Sequence, residues 1–449
     1  MPRKRICEDL VHSSSSTKVS STTSSCKDTN SLHQNMWIIF GLFVGFILLS
    51  QLQLGNSFIL VCYFTNWAQY RPGIGRYLPM QIDPFMCTHL IYAFANMTAS
   101  NELTNFEWND EVLFKDFNDL KIKNNNLKTL LALGGWKFGS ISFNRMVASS
   151  ATRATFIESA INYLRKHRFD GLDLDWEYPG AEGNPAGTKG LYTALVQELK
   201  IAFTNEARST GKATLLLTAA VAAGKSHIDT SYDIPEISKH LDFISVMTYD
   251  YHGAWESITG HNSPLYHAKN HQGDSATFNV NFTISYWKDQ GAPADKLIVG
   301  LPTYGRTFKL SSSNSDVGAP ASGPGPAGTY SREAGFLANY EICDFLNGAT
   351  KRWIDDQEVP YAVKGDIWVG YDNLRSIETK ARWLIKNKFG GALVWTLDFD
   401  DFNNYCKQGS NPILTKLKCQ LTENSGFLLG ASAVKIFMAV VAIIMTTWY

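Results

Sequence analysis

Residues 169–178 read FDGLDLDWEY. Asp173, Asp175 and Glu177 recur at every second position, with Leu172, Leu174 and Trp176 between them. Successive side chains of a strand point to opposite faces. The three acids therefore share one face, about 6.6 Å apart along the chain, and the apolar set faces the other way. Burying three carboxylates costs several kcal/mol unless they share protons and hydrogen bonds. Such a stack cannot be fully ionised, so at least one carboxyl titrates high. Glu177, nearest the C-terminal end, is the one placed to keep a proton near neutral pH, as a general acid must. The plainer alternatives are a solvated acidic strand end and a divalent-cation site; no histidine stands among the three acids.

The same kind of run recurs on both sides. Short stretches rich in β-branched and aromatic residues lie at 58–67, 89–97, 127–136, 169–178, 214–221, 243–251, 296–305 and 390–400. Between them lie longer segments with helical spacing of apolar residues, such as TRATFIESAINYLRKHRF (152–169). Near-continuous apolar strands separated by helices indicate a parallel sheet covered on both faces. Eight units point to an α/β fold, a (β/α)8 TIM barrel, with a doubly wound open sheet as the alternative. Polar or Gly-rich residues gather at the C-terminal end of nearly every run, where barrels build their sites. No early Gly-rich dinucleotide fingerprint occurs. GGWKFG (134–139) lacks the phosphate-loop pattern, so nucleotide binding is not expected. The interval after the seventh run is too long for one helix. Residues 308–370 are expected to form a small α+β insertion between strand 7 and strand 8, walling one side of a groove.

Composition narrows the partners. Among 449 residues, 41 Lys and Arg balance 41 Asp and Glu, so the basic excess of a nucleic-acid binder is missing. A hydrophobic content of 45% is enough for a large core and excludes global disorder. Twelve Trp fit stacking on sugar rings, although on composition alone core packing is the favoured reading.

Seven cysteines show no metal-ligand spacing, so no metal or other cofactor is expected. Cys62 and Cys87 lie near the starts of neighbouring strands, close enough for a disulfide. Cys343 and Cys406 would tie the insertion to the end of the barrel, leaving Cys419 odd. Two glycosylation sequons, at Asn96 and Asn281, are usable only in a secreted chain.

The ends differ from the middle. Residues 1–35 are polar and Ser-rich and read as a disordered tail. Residues 36–57 contain a charge-free apolar stretch and read as a signal peptide or a signal anchor. The barrel is assigned to 58–420. Residues 421–449 end in an apolar segment that fits either a transmembrane tail or a lipid-anchor signal. Either way the expected location is the secretory pathway, extracellular or anchored at the cell surface.

DGLDLDWE has the Asp-x-x-Asp-x-Asp-x-Glu form of family 18 glycoside hydrolases, and residues 58–420 resemble the vertebrate chitinase group of that family. CYFTNWAQYRPG, LLALGGW, MTYDYHGAWE, LPTYGR and GGALVWTLDFDDF carry the likeness. The resemblance implies hydrolysis of chitin and chito-oligosaccharides by a monomer, with the substrate's own acetamido oxygen as nucleophile. It implies catalytic roles for Glu177 (acid), Asp175 (orienting the acetamido group), Asp173 (sharing its proton) and Tyr249 (bonding the acetamido oxygen). It implies sugar contacts for Tyr63, Phe94, Trp136, Met247, Asp250, Trp255, Tyr304, Arg306 and Trp395. Lys137 stands where the family pattern GGWNF has Asn. No cysteine follows Cys419, so the Cys-rich chitin-binding module of the group is not seen, and weaker binding to crystalline chitin is implied. Some members of the group are lectins that have lost the glutamate; here all four catalytic positions are filled.

Overall fold

The computed structural model describes residues 58–269 and 273–423. The leading tail, the apolar segment before residue 58 and the apolar segment after residue 423 lie outside the described residues. Among those described, no helix is long and apolar enough to cross a membrane.

Eight parallel strands form the barrel: β1 (Ile59–Thr65), β2 (His89–Met97), β4 (Lys128–Gly134), β5 (Gly171–Asp175), β6 (Leu216–Val221), β7 (Phe243–Val246), β8 (Leu297–Pro302) and β15 (Gly391–Trp395). Each pairs with the next, and β15 pairs back onto β1, which closes the cylinder. A two-residue strand, β3 (Leu103–Thr104), hairpins onto β2. Leu60, Cys62 and Phe64 of β1, and Leu172 and Leu174 of β5, belong to the outer core beneath the helices. Val61, Tyr63, Ile91, Ala93, Leu130 and Ala132 fill the interior instead. Period-2 alternation thus sorts each strand between two cores.

Helices cover the outside. The segment expected at 152–169 folds as Ser150–His167. The Ser149 side chain caps its start by accepting from the Thr152 amide, and Arg168, at φ 64°, ends it in the left-handed region.

Three boundaries differ from the sequence reading. The insertion begins at Tyr304 rather than 308. Strand β9 (Tyr304–Leu310) follows β8 after the single residue Thr303 and pairs antiparallel with β14 (Ile367–Gly370). Tyr304 and Arg306 therefore sit on the insertion's first strand, not on the barrel's seventh. Six strands between Tyr304 and Gly370 and the helix Asn339–Phe345 make up this α+β unit. The sixth barrel strand stops at Val246, three residues before Tyr249. At the far end the helix over 412–423 runs past residue 420 and buries Leu414, Leu417 and Leu421 in the outer core.

Disulfides join Cys62 to Cys87 and Cys343 to Cys406, with Cα separations of 6.2 and 6.0 Å; Cys419 is exposed and, among the described residues, free. The second bond fastens the insertion's helix to the chain after β15.

Candidate active site

Strand β5 delivers the carboxylates. Leu172 and Leu174 pack outward, so Asp173 and Asp175 point into the barrel, where both are buried. Asp173 is held on two sides. The Tyr63 hydroxyl donates to Oδ2 at 2.6 Å from β1, and the Thr218 hydroxyl donates to Oδ1 at 2.6 Å from β6. Burial pushes its carboxyl up to about 6, against the pull of those two donors.

Asp175 is less well served. Its Oδ1 is buried without a hydrogen-bond partner among the described residues. Burial, then the charges of Glu177 and Asp173, hold it well above the ordinary carboxylate range. Glu177 lies two residues past the strand end and is half-buried. Burial lifts it to about 7, while hydrogen bonds from the Tyr178 side chain and the Trp136 backbone pull it down. Three acids in one well thus carry fewer charges than acids. Among the described residues no group of His, Cys, Asp and Glu is arranged to hold a metal ion.

Two glycines let the neighbouring loop close over this well. A Cβ on Gly134, at φ +124°, would stand 1.9 Å from the Asp175 carbonyl oxygen, and one on Gly135 would stand 2.6 Å from the Phe94 ring. The Gly135 amide then donates to the Asp175 carbonyl at 2.8 Å. This is the physical content of the LALGGW segment.

Tyr249 reaches the interior by a different route. After Val246 the chain turns tightly, with the Thr248 amide on the Val246 carbonyl and the Tyr249 amide on the Met247 carbonyl. Tyr249 is buried in the inner core, and Met247 packs at its edge. Its ring meets Tyr304 edge-on, with centroids 6.2 Å apart. Asp250, at φ 58°, accepts from the Tyr304 hydroxyl at 2.8 Å and from Arg306 Nε at 2.7 Å on the same oxygen. The Arg306 guanidinium lies 5.3 Å from the Trp255 ring centre.

An aromatic surface borders the acids. Trp395, at the end of β15, lies 5.2 Å from the Tyr63 ring and stacks on Phe94 at 6.0 Å. Trp136 and Trp255 are 76% and 62% exposed, too open to be core residues. The structure thus gathers Tyr63, Phe94, Met247, Asp250, Tyr304, Arg306 and Trp395 by direct contacts. Lys137 stands apart, exposed and without a hydrogen bond or ion pair to the described residues.

Sequence reasoning missed several neighbours. Trp67 stacks on Phe94 at 6.0 Å and approaches Trp395 at 6.4 Å. It ends the first apolar run and stands inside CYFTNWAQYRPG, a segment that carries the resemblance. Thr218 shares the inward parity of β6 beside Asp173. Tyr178 directly follows Glu177. Farther out, Tyr70 bonds Glu107 at 2.7 Å beside Trp108, which is 84% exposed.

A barrel with an acid triad at the C-terminal mouth of its fourth strand, rimmed by aromatic rings, has the form of a carbohydrate-active site. The sequence profile of glycosyl hydrolases family 18 matches residues 59–400, and the chain belongs to that family. It is 48% identical to chitotriosidase-1 of Mus musculus over 84% of this chain and 81% of that one. It is 47% identical to the oviduct-specific glycoprotein of Ovis aries over 83% of this chain and 68% of that one. A solved structure of human YKL-39, described as a pseudo-chitinase with retained chitooligosaccharide binding properties, superposes with a TM-score of 0.79 at 46% identity, covering 82% of this chain and all of that one.

Proposed function

We propose that the chain is an endo-acting chitinase that hydrolyses β-1,4 N-acetylglucosamine linkages with retention of configuration. The observation that carries this reading is Glu177, half-buried at the mouth and lifted to about 7, above two inward-facing buried aspartates. A carboxyl titrating there holds a proton at neutral pH and can also release it.

In this reading Glu177 protonates the glycosidic oxygen. The acetamido oxygen of the bound sugar attacks the anomeric carbon, the glycosidic bond breaks, and an oxazolinium ion forms. Asp175 receives the acetamido N–H on its unpartnered oxygen and offsets the positive charge. Asp173 shares a proton with Asp175. Tyr249 donates its hydroxyl to the acetamido oxygen. Water, deprotonated by Glu177, then opens the ring from the side the leaving group left. Trp395 forms the floor under the sugar, with Tyr63, Phe94 and Met247 around it. Asp250, Tyr304 and Arg306 form a polar edge, and Trp136 and Trp255 supply stacking faces. Two disulfides support folding on the oxidising side of the secretory pathway. Attachment through a terminal apolar segment belongs to the same proposal.

A second reading is a surface lectin that binds the same sugar without turnover, favoured by the likeness to a pseudo-chitinase. A fluorogenic chitobioside separates the two. Turnover by the wild type, lost by two or more decades in Glu177→Gln, is expected. Equal, negligible rates in both proteins would leave only the lectin. An inverted first product would refute the mechanism.

A further inference from the structure

Glu177 is flanked in the chain by Trp176 and Tyr178, and both flanks are held by one short element. The helix Ile141–Val147 follows the loop that carries Trp136. Just before it, the Ser140 hydroxyl accepts from the Trp176 indole N–H at 2.9 Å. Within it, Phe143 stacks on Trp176 at 4.7 Å with the rings only 7° from parallel. One helical position on, the Asn144 amide donates to Asn184 Oδ1 at 2.9 Å. The Asn184 amide in turn donates to the Tyr178 carbonyl at 2.8 Å. The helix is itself tied down, because Arg145 bonds the Asn101 side chain and the Thr98 carbonyl in the turn between β2 and β3.

The two sides of this bracket differ in kind. Trp176 is buried, so its side is fixed by packing. Tyr178 lies at the start of a loop over residues 179–187 that is bounded by glycines, and Asn184 there is only half-buried. The Tyr178 side chain is also a hydrogen-bond partner of Glu177. A shift of the Tyr178 backbone therefore moves both the carboxyl's anchor point and one of its donors.

We propose that Asn184, braced by Asn144, is a positioning residue for Glu177. The relay fixes the carbonyl of the residue that follows the acid, and so the direction from which the carboxyl approaches a bound glycosidic oxygen. It touches neither substrate nor reacting atoms. This inference rests on the reading of Glu177 as the acid. Small displacements of a reacting group lower rates steeply without weakening ground-state binding.

The test uses the full chain with Asn184→Ala, Asn184→Asp and Asn144→Ala, assayed on a fluorogenic chitobioside from pH 4 to 9. Asn184→Ala is expected to lower kcat about five- to tenfold with KM within twofold. The alkaline limb should move upward by roughly half a pH unit, because the Tyr178 bond that holds Glu177 down is loosened. Asn184→Asp keeps the acceptor for Asn144 but cannot donate to the Tyr178 carbonyl, so it should resemble Asn184→Ala. Asn144→Ala leaves that second bond in place and should give a smaller drop. An unmoved alkaline limb in Asn184→Ala, or a change confined to KM, would overturn the proposal, whatever happens to Tm. If the wild type shows no turnover, the hydrolase reading fails by itself. The relay is then read by 13C titration of the Glu177 carboxyl, where an upward shift in Asn184→Ala supports it and an unchanged titration overturns it.

Discussion

The Tyr63 hydroxyl donates to Asp173 Oδ2 at 2.6 Å, joining two residues 110 positions apart across the inside of the barrel. The bond lies at the bottom of the acid well, where Asp173 has no contact with solvent. Of the two groups Tyr63 keeps its proton, since burial and the charges of Asp173 and Asp175 push its hydroxyl far above the ordinary value. Removing this donor by Tyr63→Phe lets the Asp173 carboxyl rise further above about 6. The acidic limb of the pH–rate profile should move upward and kcat should fall about tenfold. Unfolding measurements should show a loss of about 1–3 kcal/mol, because the buried Oδ2 is left without its donor.

The protonated form of Glu177 is the one able to donate. With its carboxyl at about 7, kcat/KM should decline about tenfold per pH unit above that value. A steady-state profile on a soluble chito-oligosaccharide checks this. A plateau extending to pH 9 would remove Glu177 as the acid.

The same group should cost stability. Glu177 titrates near 7 in the folded chain and near 4.5 when unfolded. Between those values the unfolded chain loses its proton first, so stability falls as pH rises from about 4.5, and the loss is complete above about 7. Gln carries no charge to bury. Glu177→Gln should therefore match the wild type in unfolding free energy below pH 4.5 and exceed it above pH 7 by on the order of 3 kcal/mol. Thermal unfolding at pH 4, 6 and 8 gives the comparison.

Arg306 and Tyr304 share one oxygen of Asp250, and Arg306 also lies near Trp255. Arg306→Ala should loosen both partners. KM for chito-oligosaccharides is expected to rise roughly three- to tenfold, with kcat less affected, because the cluster sits beside the acids rather than among them.

Lys137 makes no hydrogen bond or ion pair with the described residues, so Lys137→Asn should leave stability within about 0.5 kcal/mol. An amide both donates and accepts where an ammonium only donates. Binding of neutral chito-oligosaccharides should tighten about threefold, measured by titration calorimetry on Glu177→Gln and on the double variant.

The sequence by itself determined the barrel and the facing of its acids. Eight apolar runs at regular intervals admit few other arrangements, and the period of two in Gly171–Asp175 commits Asp173 and Asp175 to the side opposite Leu172 and Leu174. The aromatic residues of the groove were legible only through the resemblance to family 18. Tertiary structure alone decided what lies outside strict alternation. Tyr249 enters the well by tight turns after Val246, and no strand parity predicts where a turn points a side chain. Tyr304 and Arg306 belong to β9 of the insertion because its first strand starts a single residue after β8, and an apolar run does not mark where one sheet hands over to another. The partners of Asp173 come from β1 and β6, and Asn144, which braces Asn184, comes from the helix after β4. Those pairings exist only once the cylinder closes, since they join residues tens to a hundred positions apart whose proximity no local pattern encodes.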